Sequence, residues 1–287
     1  MLNYEAFKDE LKKETAKRNI EVEEKFISKN NAVEKERIMC KCSGENMIPL
    51  IDLKALFELY KQNGMSSCLE YIEKSFNTEN EILSSVFCET WEEAKSHVHM
   101  EVIHAEWNKE HLKNVPHLKY LNLAVTFRLV LAENEEGMAS TVITNQFLKW
   151  WDIQIKELIE EGMKNLYKQK FKIDSLYTKI GIPEKEIKDD EKRIYVMSNT
   201  YNQRGAVAIM RTDLLSAFAE GINSDLYIIP SSLHELILLP FDESVDVSAI
   251  KEMIQEINRN QMDEEDWLSE SLYRFRRESG EVEIAIV

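Results

Sequence analysis

Glycine is scarce, with 8 in 287 residues, and none forms a G-x-G-x-x-G turn or a G-K-[ST] loop. The backbone cradle that such loops offer to phosphate groups is therefore missing, and no cofactor is expected. Cysteine is equally sparse: Cys40, Cys42, Cys68 and Cys88 all fall in the first third, and no CxxC is present. This removes the starting motif of zinc ribbons and thioredoxin-like redox sites and predicts reduced thiols. The C-x-C pair Cys40 and Cys42 would share one strand face, but tetrahedral zinc needs two further ligands that this neighbourhood lacks, so no metal site is expected. Apolar residues nowhere run for the roughly 18 to 20 needed to span a bilayer. The densest stretch, Leu226 to Pro240, is broken by Pro230, Ser231, Ser232, His234 and Glu235. Met1-Leu2-Asn3-Tyr4 leads straight into Lys- and Glu-rich sequence without an export-signal pattern, so a cytoplasmic protein without membrane contact is expected. Clusters of Lys and Arg with interleaved aromatics are also lacking. Against 36 basic residues stand 52 acidic ones, a net charge of −16, which disfavours direct binding to nucleic acid.

What is present is material for a packed interior. The 44% hydrophobic content can bury a substantial core, and the 31% charged content reads as its solvated surface. Tyr4, Phe7 and Leu11 predict an amphipathic helix ending near Asn19. Ile20, Val22 and Phe26 alternate with charged residues, Lys29-Asn30-Asn31 can turn, and Arg37 to Cys42 can return, which predicts a hairpin. Two short helices follow Pro49, with Gly64 as the stop of the first. Thr90 and Glu93 are spaced as a capping box for a helix reaching to about Leu112.

From Pro116 the organisation changes. HLKYLNLAVTFRLVL and Met138 to Ile143 read as strands around a turn at Asn134 to Gly137, followed by a helix from about Asn145 to Leu166. RIYVMSN and GAVAIMR, then DLLSAFAEG capped by Thr212, repeat the pattern; DLYIIPSS, LHELILLP and a helix from Ser248 to Asn260 repeat it again. Ser271 to Arg276 and Val282 to Ile286 pair around Ser279-Gly280. The expected fold class is α+β: strand-strand-helix units forming a mostly antiparallel sheet with helices on one face, preceded by a helical N-terminal part. The expected division is 1–115 and 116–287, which could still be one continuous domain, and Gly181 to Lys192 is the best internal linker.

The motifs PHLKYLNLAVTF, IYVMSNTYNQRGAVAIMR, LYIIPSSLHELILLP and EMIQEINRNQMDEEDWLSESLYRF resemble those of an uncharacterised clostridial family catalogued as a domain of unknown function. The resemblance runs from the Tyr4/Phe7 helix to Phe275, and from Pro116 onward the chain is more distantly similar to the YtpQ-like family. It implies the fold and a cytoplasmic setting and brings no catalytic residues. Asn122, where the family pattern has Asp, and His104, where it has Asn, depart from that pattern.

Five residues are candidates for a site. Ser232 and His234 stand two apart in PSSLHEL, so on a strand they share a face while Glu235 points to the other. A hydroxyl beside an imidazole suggests a nucleophile, but no G-x-S-x-G elbow is present; the other reading is a turn shaped by Ser231 and Ser232. Asn199, Glu235 and Asn258 are candidate binding residues for a cleft between hairpins. His97, Glu101 and His104 would share a helical face, yet two turns is too far to chelate one ion, and His99, His111 and His117 add no H-E-x-x-H motif. Asp263 to Asp266 are read as acids opening a short helix, and Trp150-Trp151 as core aromatics. A packed interior without an assembled catalytic set points first to a non-catalytic protein-binding or regulatory protein acting on another cytoplasmic protein. A hydrolase or transferase using Ser232 and His234 is the alternative, and an acidic nucleic-acid mimic acting on a basic effector is a third reading.

Overall fold

The computed structural model describes residues 1–42, 49–85, 88–134, 137–179, 181, 194–230, 232–244 and 246–286. The chain divides into two compact units, Met1–Phe87 and Cys88–Val287. In the first, the expected amphipathic helix is α1 (Tyr4–Ala16), capped by the Asn3 side chain, which accepts from the Ala6 N–H at 2.9 Å. The expected hairpin is β1 (Ile20–Ser28) and β2 (Glu34–Cys42), paired antiparallel from Ile20↔Cys42 to Ser28↔Glu34, with β3 (Leu50–Asp52) added to β2. Then α2 (Leu53–Ser85) is broken at Gly64, whose φ of +83° suits glycine, so the two-helix expectation holds. Phe7 and Leu11 of α1 pack with Ile38 and Cys40 of β2 and with Leu56, Cys68 and Ile72 of α2 into a fully buried core.

The second unit begins with α3 (Trp91–Ala94), where Thr90 and Glu93 form the expected capping box. It continues through β4 (Val98–His104), α4 (Lys109–Leu112), β5 (Leu118–Tyr120), β6 (Leu123–Asn134) and β7 (Gly137–Val142). Next come α5 (Asn145–Trp151), α6 (Ile155–Lys168), β8 (Phe171–Ser175) and α7 (Leu176–Lys179). The chain ends with β9 (Tyr195–Asn199), α8 (Thr212–Ile222), β10 (Leu226–Ile229), β11 (Leu236–Pro240), α9 (Val247–Gln261), β12 (Leu272–Arg276) and β13 (Glu281–Ile286). A four-stranded sheet has the order β4-β6-β5 with β7 also on β6; a six-stranded sheet has the order β13-β12-β10-β11-β9-β8. The pairings are antiparallel, and the fold is α+β.

Four expectations change. The helix expected from Thr90 to Leu112 is a single turn followed by β4, because VHMEVIH alternates with the strand period and pairs along its length with β6, from Val98↔Leu129 to His104↔Leu123. That pairing ties residues before Pro116 to residues after it, and the compact units part at Phe87/Cys88 instead of at 115/116. GAVAIMR, expected as a strand, is a 3-10 helix over Gly205–Met210 with Gly205 to Ile209 buried, so the middle repeat lacks its second strand. The helix expected from Asn145 to Leu166 is interrupted at Asp152, which takes a left-handed φ of 51°. The linker expected at Gly181 to Lys192 lies outside the described residues except for Gly181.

Two faces of the β4–β6 pair have opposite chemistry. Met100 and its register partner Phe127 face α6 at Gly162, and Asn165 of α6 donates to the carbonyls of Lys95 and Val98 at 2.7 and 3.0 Å. The other face carries Glu101 and Thr126. On the six-stranded sheet, Ile250 and Ile254 of α9 pack on Tyr227, Ile229 and Leu272. Arg211 closes the C-terminal end of α6: it donates to the Leu166 carbonyl at 3.2 Å and the Gln169 carbonyl at 3.4 Å and is paired through both Nε and Nη2 with Asp213.

Gly205 lies where backbones meet. A Cβ there would stand 2.6 Å from the His234 carbonyl oxygen and 2.7 Å from the Asn199 nitrogen, atoms that cannot turn aside, and it would also strike the Ser198 hydroxyl. Gly205→Ala is therefore expected to cost about 3 kcal/mol or more by overpacking. Gly221→Ala, with nothing within 4 Å, is expected to be neutral or slightly stabilising. Urea denaturation of both variants checks this; a Gly205→Ala loss below about 1 kcal/mol would contradict the close packing.

Candidate functional site

Glu101 is 4% exposed and sits in the middle of β4. Thr126 Oγ1, directly across in the register, donates to its Oε1 at 3.2 Å. Arg128 Nη1 stands 3.5 Å from the same oxygen, and Arg204 Nη1 donates to Oε2 at 2.6 Å. Arg128 is aimed by Ser140, which accepts from its Nε at 2.9 Å through the hydroxyl and from Nη2 at 3.3 Å through the carbonyl. Burial pushes the Glu101 carboxyl up, but Arg204, Arg128 and the Thr126 and Arg204 hydrogen bonds outweigh it and hold the group below the usual carboxylate range. Burial lowers Arg128 from its ordinary value, Glu101 opposes that shift, and Arg204 adds to it.

This network floors a recess lined by His99, Glu101, Arg128, Gln169, Gln203 and Arg204 among others. It encloses about 240 Å³ with its open mouth included, less than the roughly 300 to 1,000 Å³ of drug-sized ligand sites. His99 Nδ1 is 2.7 Å from Gln169 Nε2, and Gln169 Oε1 is buried with no protein partner. Burial, with a smaller contribution from His97, brings the His99 imidazole down to about 4.

The sequence candidates are only partly brought together. Ser232 is buried, and its hydroxyl accepts from the His234 backbone N–H at 3.0 Å, the turn-shaping role. His234 is held at both ring nitrogens: Nδ1 accepts from the Arg204 N–H at 3.3 Å, which places the proton on Nε2, 3.2 Å from Asp266 Oδ1. Asn199 closes its own turn, with Nδ2 donating to the Gln203 carbonyl at 2.6 Å and Oδ1 accepting from the Gln203 N–H at 3.0 Å. It also lines the recess. Glu235 pairs with Lys179. Asn258 lies on α9 with its side chain outside the described residues.

Other residues that stood out in the sequence have structural partners. Asn122 accepts from the Tyr273 hydroxyl at 2.6 Å and donates to the Ser271 hydroxyl at 3.0 Å, beside Leu121 at a left-handed φ of 57°. His104 stacks on Trp107 with 3.9 Å between ring centres, and His117 Nδ1 faces the Val115 carbonyl at 3.0 Å. Glu264–Asp266 form a short 3-10 turn. Among the described residues no three His, Cys, Asp or Glu side chains converge to hold an ion, and no helix is long and apolar enough to cross a membrane. Trp151 is buried as expected of a core aromatic, whereas Trp150 is 54% exposed.

Sequence reasoning missed Arg128 and Arg204 and placed Glu101 on a helix. A signal was there: a lone carboxylate among Val98, Met100, Val102 and Ile103 in a strand must find cations if it is to be buried.

His99 binds its proton less readily when folded, at about 4, than when unfolded, at about 6.5. Between those values the unfolded chain holds more protons, so stability is lost as pH falls through that window, by at most about 1.4 kcal/mol per pH unit for one such group. Urea denaturation across the window is expected to show this slope and to show it flattened in His99→Gln; an unchanged slope would mean that His99 is not the buried neutral group.

No curated protein and no solved structure matches the chain. A family model, described as Family of unknown function (DUF5688), matches residues 4–277. With nearly its whole length covered, the chain belongs to the Family of unknown function (DUF5688).

Proposed function

We propose that this chain is a non-catalytic protein-binding or regulatory protein that acts on another cytoplasmic protein. The observation that carries the reading is the exposed aromatic surface at the α5–α6 junction. Trp150 is 54% exposed, the Phe147 ring lies 5.9 Å from it, and Ile155 is 39% exposed. A half-exposed tryptophan keeps apolar area that a protein partner can bury, and it is a residue type enriched among interface anchors. The commitment of Ser232 and Asn199 to local backbone hydrogen bonds also supports the reading.

One observation favours a hydrolase or transferase instead: Asp266 gives His234 the acidic neighbour that a general base requires, and the His234 side chain is 32% exposed. Against it, the Nδ1 lone pair is used by Arg204, and the Ser232 hydroxyl is engaged by the His234 backbone N–H.

A tagged chain in native cell extract is expected to recover at least one protein reproducibly at ordinary salt. Trp150→Ser is expected to reduce that recovery about tenfold, while His234→Asn leaves it unchanged. Recovery of nothing reproducible, or equal recovery by the Trp150 variant, would overturn the proposal.

A further inference from the structure

The recess against β4 and β6 is unbalanced in charge. Of its lining residues, Arg128 and Arg204 bring two guanidinium groups and Glu101 brings one carboxylate, and their side chains are only 16%, 29% and 6% exposed. His99 adds no charge near neutral pH. A half-buried cation in excess is costly unless an anion meets it. The excess is local, since Cys88–Val287 carries 36 acidic residues against 23 basic ones.

Donors are available at the same place. Arg204 uses Nη1 on Glu101, and its guanidinium makes no other hydrogen bond or ion pair among the described residues. The Gln203 side-chain amide, also in the lining, has no partner among the described residues. Gln169 has one polar atom without a protein partner whichever way its carboxamide is turned. With Nε2 toward His99, Oε1 is the unmatched atom; turned over, Oε1 accepts from His99 and Nε2 becomes the unmatched donor.

We infer that this recess is a binding site for a carboxylate group, held by the free edge of the Arg204 guanidinium with Gln203 beside it. The guanidinium fork matches two coplanar oxygens. The recess, about 240 Å³ with its open mouth included, suits a small head group and not a drug-sized ligand. Repulsion from the acidic body scales with ligand charge, so a monoanion is favoured over a phosphate dianion. The site shares no lining residue with the Trp150 surface and does not depend on it. Its carboxylate could come from a small acid or from the C-terminus of a polypeptide.

The test is a titration of the full chain, followed by NMR of the arginine and glutamine side-chain N–H signals. The probes are acetate, an N-acetyl tripeptide with a free C-terminus and the same tripeptide as its C-terminal amide. Acetate or the free-acid peptide is expected to saturate with Kd on the order of 1 to 10 mM, with the amide silent. Tighter binding of the peptide acid than of acetate assigns the carboxylate to a polypeptide end; equal binding assigns it to a small acid. Arg204→Lys, which keeps the charge and loses the fork, is expected to weaken binding about tenfold. Gln203→Leu, which leaves the Glu101 pair intact, is expected to weaken it severalfold and serves if the lysine variant does not fold. No saturable shift with either acid, or binding unchanged in both variants, would overturn the site.

Discussion

The interior of the second unit depends on keeping the Glu101 carboxylate charged in a place with almost no water. An isolated carboxylate in such surroundings would cost several kcal/mol, so it must be met by cations and hydrogen-bond donors from the segments that close over it. Thr126 and Arg128 come from β6, the strand paired with its own, but Arg204 comes from the turn before Gly205–Met210. That last contact fixes a loop. The Arg204 backbone, at a left-handed φ of 52°, then donates to His234, and His234 reaches Asp266. One buried charge thus sets the position of three stretches of chain far apart in sequence.

The same economy recurs around it. Asn165 ties α6 to the Lys95 and Val98 carbonyls, Arg211 ties the end of α6 to the start of α8, and Asn122 ties the β5–β6 turn to Ser271 and Tyr273. Each is a buried or half-buried polar side chain spent on groups that could not otherwise be satisfied. With its four cysteines free, the chain has no disulfide to do this, and polar ties between packed layers specify the arrangement instead. Residues consumed in this way are poor candidates for chemistry. Among the described residues, the second edge of the Arg204 guanidinium is not spent in this way.

Much of the fold was legible from periodicity and turn chemistry. Tyr4–Phe7–Leu11, the β1–β2 hairpin and the Thr90/Glu93 cap all have local causes, and local causes can be read locally. VHMEVIH misled because its charged residues can be placed on a helix face as well as on a strand face; only pairing with LAVTFRL, which lies far along the chain, selects the strand. GAVAIMR misled for the opposite reason. Its apolar run is buried enough to suit a central strand, but the close approach of Gly205 to Asn199 and His234 leaves room only for a tight helical turn. The candidate site was the least legible part. Ser232 and His234 lie in the turn between β10 and β11 instead of on a strand, and which atoms they present depends on Arg204 and Asp266, neither adjacent in sequence.

A double-mutant cycle between Glu101 and Arg204 measures how far the loop depends on the buried charge: the unfolding free energies of Glu101→Gln, Arg204→Gln and the double variant are compared with the parent. The single losses are expected to be far from additive, with a coupling of about 2 kcal/mol or more, because removing one partner strands the other. Losses that add to within about 0.5 kcal/mol would contradict it, and would mean that the loop is held by packing alone.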